Sequence, residues 1–348
     1  MKPRTLPARP IQSTIQRFAA LRWRLPMLLG SLLVALLANL IISLAVHAAD
    51  YPTRPLQMVI PFPAGGPADI VGRLYAQHLS TLLGQPVIIV NRDGAAGAIG
   101  TEAVARANPD GHTILFGTTS TMAVNQVIMK SLPYDFARDF ALIGLIASAP
   151  HILAVRDGLP ARTAAELITL AKRNPGKYTF ASAGIGTIVQ MAGELFKYEA
   201  AIDILHVPYK GGGPATLALL SGEVDMTVND LSTLKTNFAS GKLRALAVSN
   251  SARLKLLPDT PTFAELGIPK IVSSTWWGIA VPAKTPADIQ QRLKAANTRI
   301  IADPDYVARL AVMAIEPLTL SPEQSAAFIA AEVQKWRAVA AAANIRLD

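Results

Sequence analysis

Residues 56–90 read LQMVIPFPAGGPADIVGRLYAQHLSTLLGQPVIIV. Residues 56–62 form a short apolar run closed by Pro63-Ala64-Gly65-Gly66-Pro67, the pattern of a strand followed by a tight turn. From 68 to 83 the period becomes helical, with Val71, Leu74, Tyr75, His78 and Leu82 on one face at spacings of three and four. Residues 87–90, Val-Ile-Ile-Val, are a second strand of the buried type. A Gly-rich loop, a short helix to about Ala107, an Asn108-Pro109-Asp110-Gly111 turn and a strand at 113–116 come next. The order is βαβαβ, which predicts a parallel sheet with right-handed crossovers.

A second series of the same kind starts near Ile152. Thr163 and Glu166 form a capping box for a helix that ends at Asn174-Pro175-Gly176. Strands are predicted at 178–181, 204–207, 226–228 and 243–248, with helices at 188–199 and 214–221. Thr262–Glu265 and Ser321–Gln324 are further capping boxes, and the Ala-rich stretch 321–343 is helical. The fold class is therefore α/β, with two doubly wound domains of similar topology. Residues 50–150 with 275–348 make the first and 151–274 the second, the chain crossing near 148–150 and 271–276.

The 348 residues are 51% hydrophobic and 16% charged, enough apolar material for a sizeable core. The net charge is +9, but residues 1–48 hold six basic residues and no acid. The remaining 27 basic and 24 acidic residues leave +3, so a nucleic-acid partner has no electrostatic footprint. There is no cysteine, which excludes disulfides, thiol catalysis and cysteine-ligated zinc. After Arg24 an apolar stretch rich in Leu, Ile, Ala and Val runs to Val46-His47-Ala48-Ala49. Small residues at −3 and −1 suit cleavage after Ala48 or one residue later, so residues 1–48 read as a signal peptide. An uncleaved N-terminal anchor is the alternative, because the run approaches the roughly 20 residues that span a bilayer. Either reading places the rest of the chain outside the cytoplasm.

In open parallel sheets ligands lie beyond the carboxyl ends of the strands. There this chain is rich in Gly and small hydroxyl residues. The first series offers Phe62, Pro63, Ala64, Gly65 and Asp69, then Asn91, Gly94, Ala95, Ala96 and Gly97, then Thr118, Thr119 and Ser120. The second offers Ser182, Gly184, Gly186 and Thr187, then Tyr209 and Lys210, then Asn229 and Asp230. Gly lets the backbone approach a ligand, and each loop feeds a helix N-terminus whose free N–H groups favour an anion. One such loop is an ordinary turn; a whole set at the same ends of the strands points to a cleft for an anionic ligand. Asp69 suits either ligand binding or helix-dipole compensation. Trp276-Trp277 reads as buried strand packing, with a pocket wall as the alternative.

Motifs for catalysis and cofactors are missing. Gly94-x-x-Gly97-x-x-Gly100 lacks the G-x-G start of a dinucleotide fingerprint, and there is no phosphate-binding P-loop. There is no G-x-S-x-G elbow and no His-Glu-x-x-His, and the histidines are far apart. No catalytic residue, metal site or cofactor is assigned.

An ordered set of short motifs resembles one family. It includes Tyr51-Pro52-x-Arg54-Pro55, Val59-Ile60-Pro61-Phe62-Pro63-Ala64-Gly65-Gly66-x-x-Asp69 and Asn91-Arg92-x-Gly94-Ala95-x-Gly97-x-x-Gly100. Pro109-Asp110-Gly111-His112-Thr113, Ala181-Ser182-Ala183-Gly184-x-Gly186-Thr187 and His206-Val207-Pro208-Tyr209-Lys210-Gly211 continue it. Gly241-Lys242-Leu243-Arg244-Ala245-Leu246-Ala247-Val248 and Leu257-Pro258-Asp259-x-Pro261-Thr262 close it. Across almost all of the chain after the leader, the sequence resembles the periplasmic substrate-binding receptors of tripartite tricarboxylate transporters, the Bug or TctC-type family.

The resemblance implies a Venus-flytrap fold that closes on a small ligand, without catalysis. It implies that loops 63–66 and 91–97 hold a ligand carboxylate, and that 182–187 and the strand end at Asp225–Asp230 set ligand identity. Where such chains commonly carry a His after the Ser-x-Gly-x-Gly loop, this one has Gln190, which hydrogen-bonds but carries no charge. No known ligand transfers directly across that change. Dicarboxylates, aromatic carboxylates and acidic amino acids are the expected classes, with Asp225 or Asp230 facing an ammonium in the last case. The implied partners are the membrane permease subunits of a tripartite tricarboxylate transporter, and the implied receptor is a monomer in the periplasm. A sensor that hands ligand-induced closure to a signalling protein, and a periplasmic enzyme in the same cleft, remain as alternative readings.

Overall fold

The computed structural model describes residues 51–347, and the leader expected at residues 1–48 lies outside them. β1 (Leu56–Ile60), α1 (Pro67–Leu83), β2 (Val87–Asn91), α2 (Ala98–Ala105) and β3 (Thr113–Thr118) form the βαβαβ series. β1 pairs in parallel with both β2 and β3, Leu56 opposite Val87 and Gln57 opposite Thr113. β1 stops at Ile60 rather than at Phe62, because Pro61 has no N–H to donate to a ladder. A π-turn at Ser120–Val124 and two single-turn helices, α3 (Asn125–Ile128) and α4 (Phe136–Asp139), lead to β4 (Phe140–Arg156).

β4 is the strand that organises the rest. From Phe140 to Pro150 it pairs antiparallel with β9 (Ser274–Pro282). From His151 to Val155 it pairs antiparallel with β7 (Met226–Asp230). The partner changes at Pro150–His151, within one unbroken strand of 17 residues. Between β4 and β9 lie α5 (Ala164–Arg173), β5 (Thr179–Ser182), α6 (Ile188–Glu199), β6 (Leu205–Pro208), α7 (Gly212–Ser221), β7, α8 (Leu231–Ala239) and β8 (Leu243–Val248). The sheet order is β2-β1-β3-β9-β4-β7-β5-β6, with β8 also on β4. After β9 come α9 (Ala287–Ile301), α10 (Pro304–Val312), β10 (Glu316–Pro317) and α11 (Pro322–Ala342). Among the described residues no helix is long and apolar enough to cross a membrane.

One apolar cluster joins residues of both series, Val59, Leu115, Leu153, Phe180, Phe196 and Trp276 among them. Each such side chain, fully buried, contributes roughly 1.5–3 kcal/mol. Glu332 on α11 accepts from both indoles, Trp276 Nε1 at 3.0 Å and Trp336 Nε1 at 3.1 Å. The C-terminal helix is thereby tied to β9. The capping box at Thr262 forms both of its bonds, Thr262 N to Glu265 Oε2 at 2.7 Å and Glu265 N to Thr262 Oγ1 at 3.2 Å. Only a turn follows, and it ends at Gly267 with φ +80.

Candidate ligand-binding site

The carboxyl ends of β1, β3, β5 and β7 surround a cavity of about 220 Å3. Phe62, Pro63, Ala64 and Gly65 line it from the loop after β1, and Thr118 and Ser120 from the end of β3. Thr187, Ile188 and Val189 line it from the start of α6. Lys210, the three glycines 211–213 and Pro214 contribute from the start of α7, and Asn229 and Asp230 from the end of β7. Thr275 and Trp277 of β9 complete it. Phe62, Trp277, Ile188 and Val189 make much of the wall apolar.

Two helices reach this cavity without a side chain to cap them. α1 has Gly66 as its N-cap and Pro67 in its first turn, and α7 has Gly211 as its N-cap at φ +107. The first-turn amides of a helix have no intrahelical acceptor. At α6 the arrangement differs. Thr187 caps the helix, and the Ile188 amide donates to Ser120 Oγ at 3.0 Å, joining this end of α6 to the turn after β3.

The loop after β1 is held from behind. Asp69 is buried and accepts from Gly65 N at 2.9 Å, Arg73 Nε at 2.8 Å and Asn91 Nδ2 at 2.9 Å. Asn91 also donates to the Phe62 carbonyl at 3.1 Å. Burial alone would raise the Asp69 pKa; the hydrogen bonds from Arg73, Gly65 and Asn91 outweigh it and hold the carboxyl below its ordinary value. Asp69 and Asn91 thus shape the loop and do not line the cavity. Asp69→Ala strips the acceptor from Gly65 and Asn91, and should cost about 2 kcal/mol in a urea titration at pH 7. Because the folded carboxyl is the stronger acid, the difference from the parent should shrink as pH falls below about 4.

Gly94, Ala95, Ala96 and Gly97 also stand behind the wall. All four have positive φ, at +124, +46, +50 and +87. For the two alanines this is a strained conformation. A Cβ on Gly97 would lie 2.6 Å from Thr121 Cγ2 and 3.2 Å from the Phe62 ring, so the loop packs directly under Phe62. Asn125 Nδ2 fixes it by donating to the Ala96 carbonyl at 3.1 Å.

Several other sequence candidates are placed away from the cavity. Thr119 Oγ1 is turned to β9, where it accepts from Trp276 N at 2.8 Å. Ser182 Oγ lies 2.6 Å from His206 Nε2 and accepts from Gly184 N at 3.1 Å. The Gly184 carbonyl accepts from Thr187 Oγ1 at 2.7 Å. Gln190 Oε1 accepts from Gly186 N at 2.7 Å, so its amide closes its own loop. The Tyr209 hydroxyl points outward to Glu223 Oε1, 2.7 Å away. Asp225 corrects an expectation most clearly. It sits before β7, at the far end of that strand from Asp230, bound to Arg156 Nε at 3.1 Å and Thr179 N at 3.0 Å. Five residues of strand separate the two acids by about 17 Å.

The acid that does reach the cavity is Asp230. It is 3% exposed, and its Oδ1 has no hydrogen-bond partner. The fully buried His151 approaches it to 3.5 Å through Nε2. His151 is held by Ser273 Oγ at Nδ1 and Thr275 Oγ1 at Nε2, both at 3.0 Å. Burial pushes the His151 pKa down to about 3, with the nearby Lys335 charge adding to the effect. Burial pushes Asp230 up to about 7, partly opposed by the Thr275 hydroxyl. Among the described residues no cluster of His, Asp and Glu could hold a metal ion.

Sequence reasoning missed Thr275, and read Trp277 mainly as packing. Both lie on the crossing strand β9, outside the rule that directs attention to loops after parallel strands.

Fold and cleft together define a small-ligand-binding α/β protein. The family model described as tripartite tricarboxylate transporter family receptor (TctC) matches residues 71–345. Among solved structures, Rpa4515 of R. palustris with adipate is 33% identical, covering 85% of this chain and 99% of that one at a TM-score of 0.81. The periplasmic binding protein BugD is 33% identical at a TM-score of 0.79, covering 85% and 99%. MatC (Rpa3494) from Rhodopseudomonas palustris with bound malate is 30% identical at a TM-score of 0.78, covering 83% and 99%. The chain belongs to the tripartite tricarboxylate transporter receptor family.

Proposed function

We propose that this chain is an extracytoplasmic solute-binding receptor for a small organic acid, which it delivers to a tripartite tricarboxylate-type membrane transporter. The observation that carries the reading is the pair of glycine-capped helix ends, those of α1 and α7, at one largely apolar cavity. Such ends attract a carboxylate through backbone amides, and the apolar wall suits its carbon body. The adipate and malate named with two relatives support a carboxylate as the ligand class. Residues 50–150 with 275–348 would form one lobe and 151–274 the other. The partner switch of β4 at Pro150–His151 supports that division. Closure would bring both helix ends onto the ligand, so ligand binding and hinge closure would be one equilibrium. The chain would bind its ligand without turning it over. It would work in the periplasm as a monomer.

The test is a thermal-shift titration of ligand-free protein with dicarboxylates, aromatic acids and amino acids. A ligand at a hundred times its Kd stabilises the folded state by about 2.7 kcal/mol, so one class should raise the melting temperature by several degrees. No shift with any organic acid overturns the reading.

A further inference from the structure

A second cavity, of about 620 Å3, adjoins the first. The two share Gly65, Gly66, Pro67, Gly213 and Pro214, so the glycine-capped ends of α1 and α7 form the neck between them. A Cβ at Gly65 or Gly213 would meet nothing within 4 Å, so the space beside both is open. Gly65 is suited to its backbone, with φ +78. Gly213 has no positive φ and lies inside α7, where a glycine weakens the helix. What the missing side chain at 213 provides is room.

Beyond the neck the wall is aliphatic. Ile70 and Val71 come from α1, Leu217 and Leu220 from α7, and Met313 and Ile315 from the segment between α10 and β10. Ile70 is 47% exposed and Leu217 66%, although both line a cavity. An apolar occupant would remove them from water. Among the described residues no charged and no aromatic side chain lines this chamber, whereas Phe62 and Trp277 line the first. Two of its hydroxyls are turned to backbone, Thr216 Oγ1 to the Gly212 carbonyl at 2.9 Å and Thr233 Oγ1 to the Asp230 carbonyl at 2.8 Å. The one cation of α8, Lys235, donates to the Val312 carbonyl at 2.7 Å.

Resting on the reading of the first cavity as a carboxylate site, we propose that the second is a tail chamber and that the ligand is an aliphatic monocarboxylate whose acyl chain lies in it. The carboxylate would take the first-turn amides of α1 and α7, and the chain would run from the neck onto Ile70, Leu217 and Leu220. Continuity of the two cavities at that neck is what commits the chamber to the ligand's own tail. Each methylene moved from water to the aliphatic wall should tighten binding about threefold. A dicarboxylate of the same length would carry its second charge into a chamber that offers no cation to meet it.

Calorimetric titration of the ligand-free protein at pH 7 tests this with butanoate, hexanoate, octanoate and decanoate, and with two matched pairs, hexanoate against adipate and octanoate against suberate. Kd should fall about threefold per methylene and level off once the chamber is full. Octanoate should bind at least about tenfold more tightly than suberate. In a double variant, Ile70→Gln with Leu217→Gln, the gain with chain length should flatten, so that octanoate binds about tenfold more weakly than to the parent. Both positions are exposed on helices, and an unchanged melting temperature reports that the variant is folded. The ranking of acids by the parent protein decides the question without any variant. No gain with chain length, or tighter binding of adipate and suberate than of their partners, overturns the tail chamber and leaves the receptor reading intact. A gain that survives in the double variant puts the tail elsewhere and overturns the chamber as well. Failure of every organic acid to bind overturns both proposals.

Discussion

Gly100→Ala should destabilise the protein by about 3 kcal/mol, with the urea midpoint falling and the slope unchanged. A Cβ at Gly100 would stand 2.4 Å from the Arg92 carbonyl oxygen, 2.9 Å from Pro61 Cβ and 3.0 Å from Pro61 Cα. Arg92 and Pro61 are the stems of the two loops that leave β2 and β1, and Arg92 N donates to the Ile60 carbonyl at 2.9 Å. The obstacle is mostly backbone and a proline ring, so no flexible side chain can move aside. Either α2 lifts from the stems or the stems part, and either motion disturbs Phe62 above them. Ligand affinity should therefore fall together with stability. Gly84→Ala is the control. Gly84 has φ +71 but open space where a Cβ would go, so its cost should stay near 1 kcal/mol, with affinity unchanged. Equal costs at the two glycines would show that close approach at Gly100 is not what the fold depends on.

Asp230→Asn should make the protein acid-labile. In the folded parent between about pH 4.5 and 6.5, His151 is neutral and Asp230 holds a proton, so the pair carries one. In the unfolded chain their ordinary values of 6.5 and 3.8 place one proton on the histidine instead. Folding moves that proton but neither takes one up nor releases one, and this pair leaves stability flat with pH. With the carboxyl replaced by an amide, the folded pair carries none while the unfolded histidine still carries one. Protons then favour unfolding, and stability falls as pH falls from about 6.5 toward 3. The limiting slope is about 1.4 kcal/mol per pH unit, and the fall is about 2 kcal/mol between pH 6.5 and 4.5, because the unfolded histidine is half protonated at the upper end. Urea titrations of both proteins at pH 4.5, 5.5 and 6.5 measure it as a difference, so carboxylates elsewhere cancel. Parallel pH profiles would show that Asp230 and His151 are not the compensating pair.

Periodicity made the two βαβ series and their Gly-rich turns legible, because a buried strand and a one-faced helix differ in apolar spacing. β4 was not legible as one strand. Pro150 interrupts its apolar run, and 148–150 read as a crossing between domains. In the fold Pro150 stands where the strand changes partners. The site was legible as a set of loops but not residue by residue. Asp69, Asn91, Ser182 and Gln190 occur in the Gly-rich loops or beside them, like Thr118 and Thr187. What separates them is whether packing brings the residue to the cavity wall, as it does Thr118 and Thr187. Spacing along the chain does not encode that placement. Asp225 and Asp230 were indistinguishable for a simpler reason: each borders the same five-residue strand, and only its polarity decides which one meets the cavity.

The partner switch within β4 also sets an order of events. Its first half is completed by β9, in which Pro282 stands opposite Phe140, more than a hundred residues later in the chain. Its second half waits for β7 and β8. Contacts so distant in sequence form late, since loop closure precedes any gain from pairing. While the chain is being made, β3 and β4 lack their shared partner until Ser274–Pro282 has emerged. A chain whose central pairings wait until most of it exists is suited to threading through a translocation channel, as the export proposed above requires.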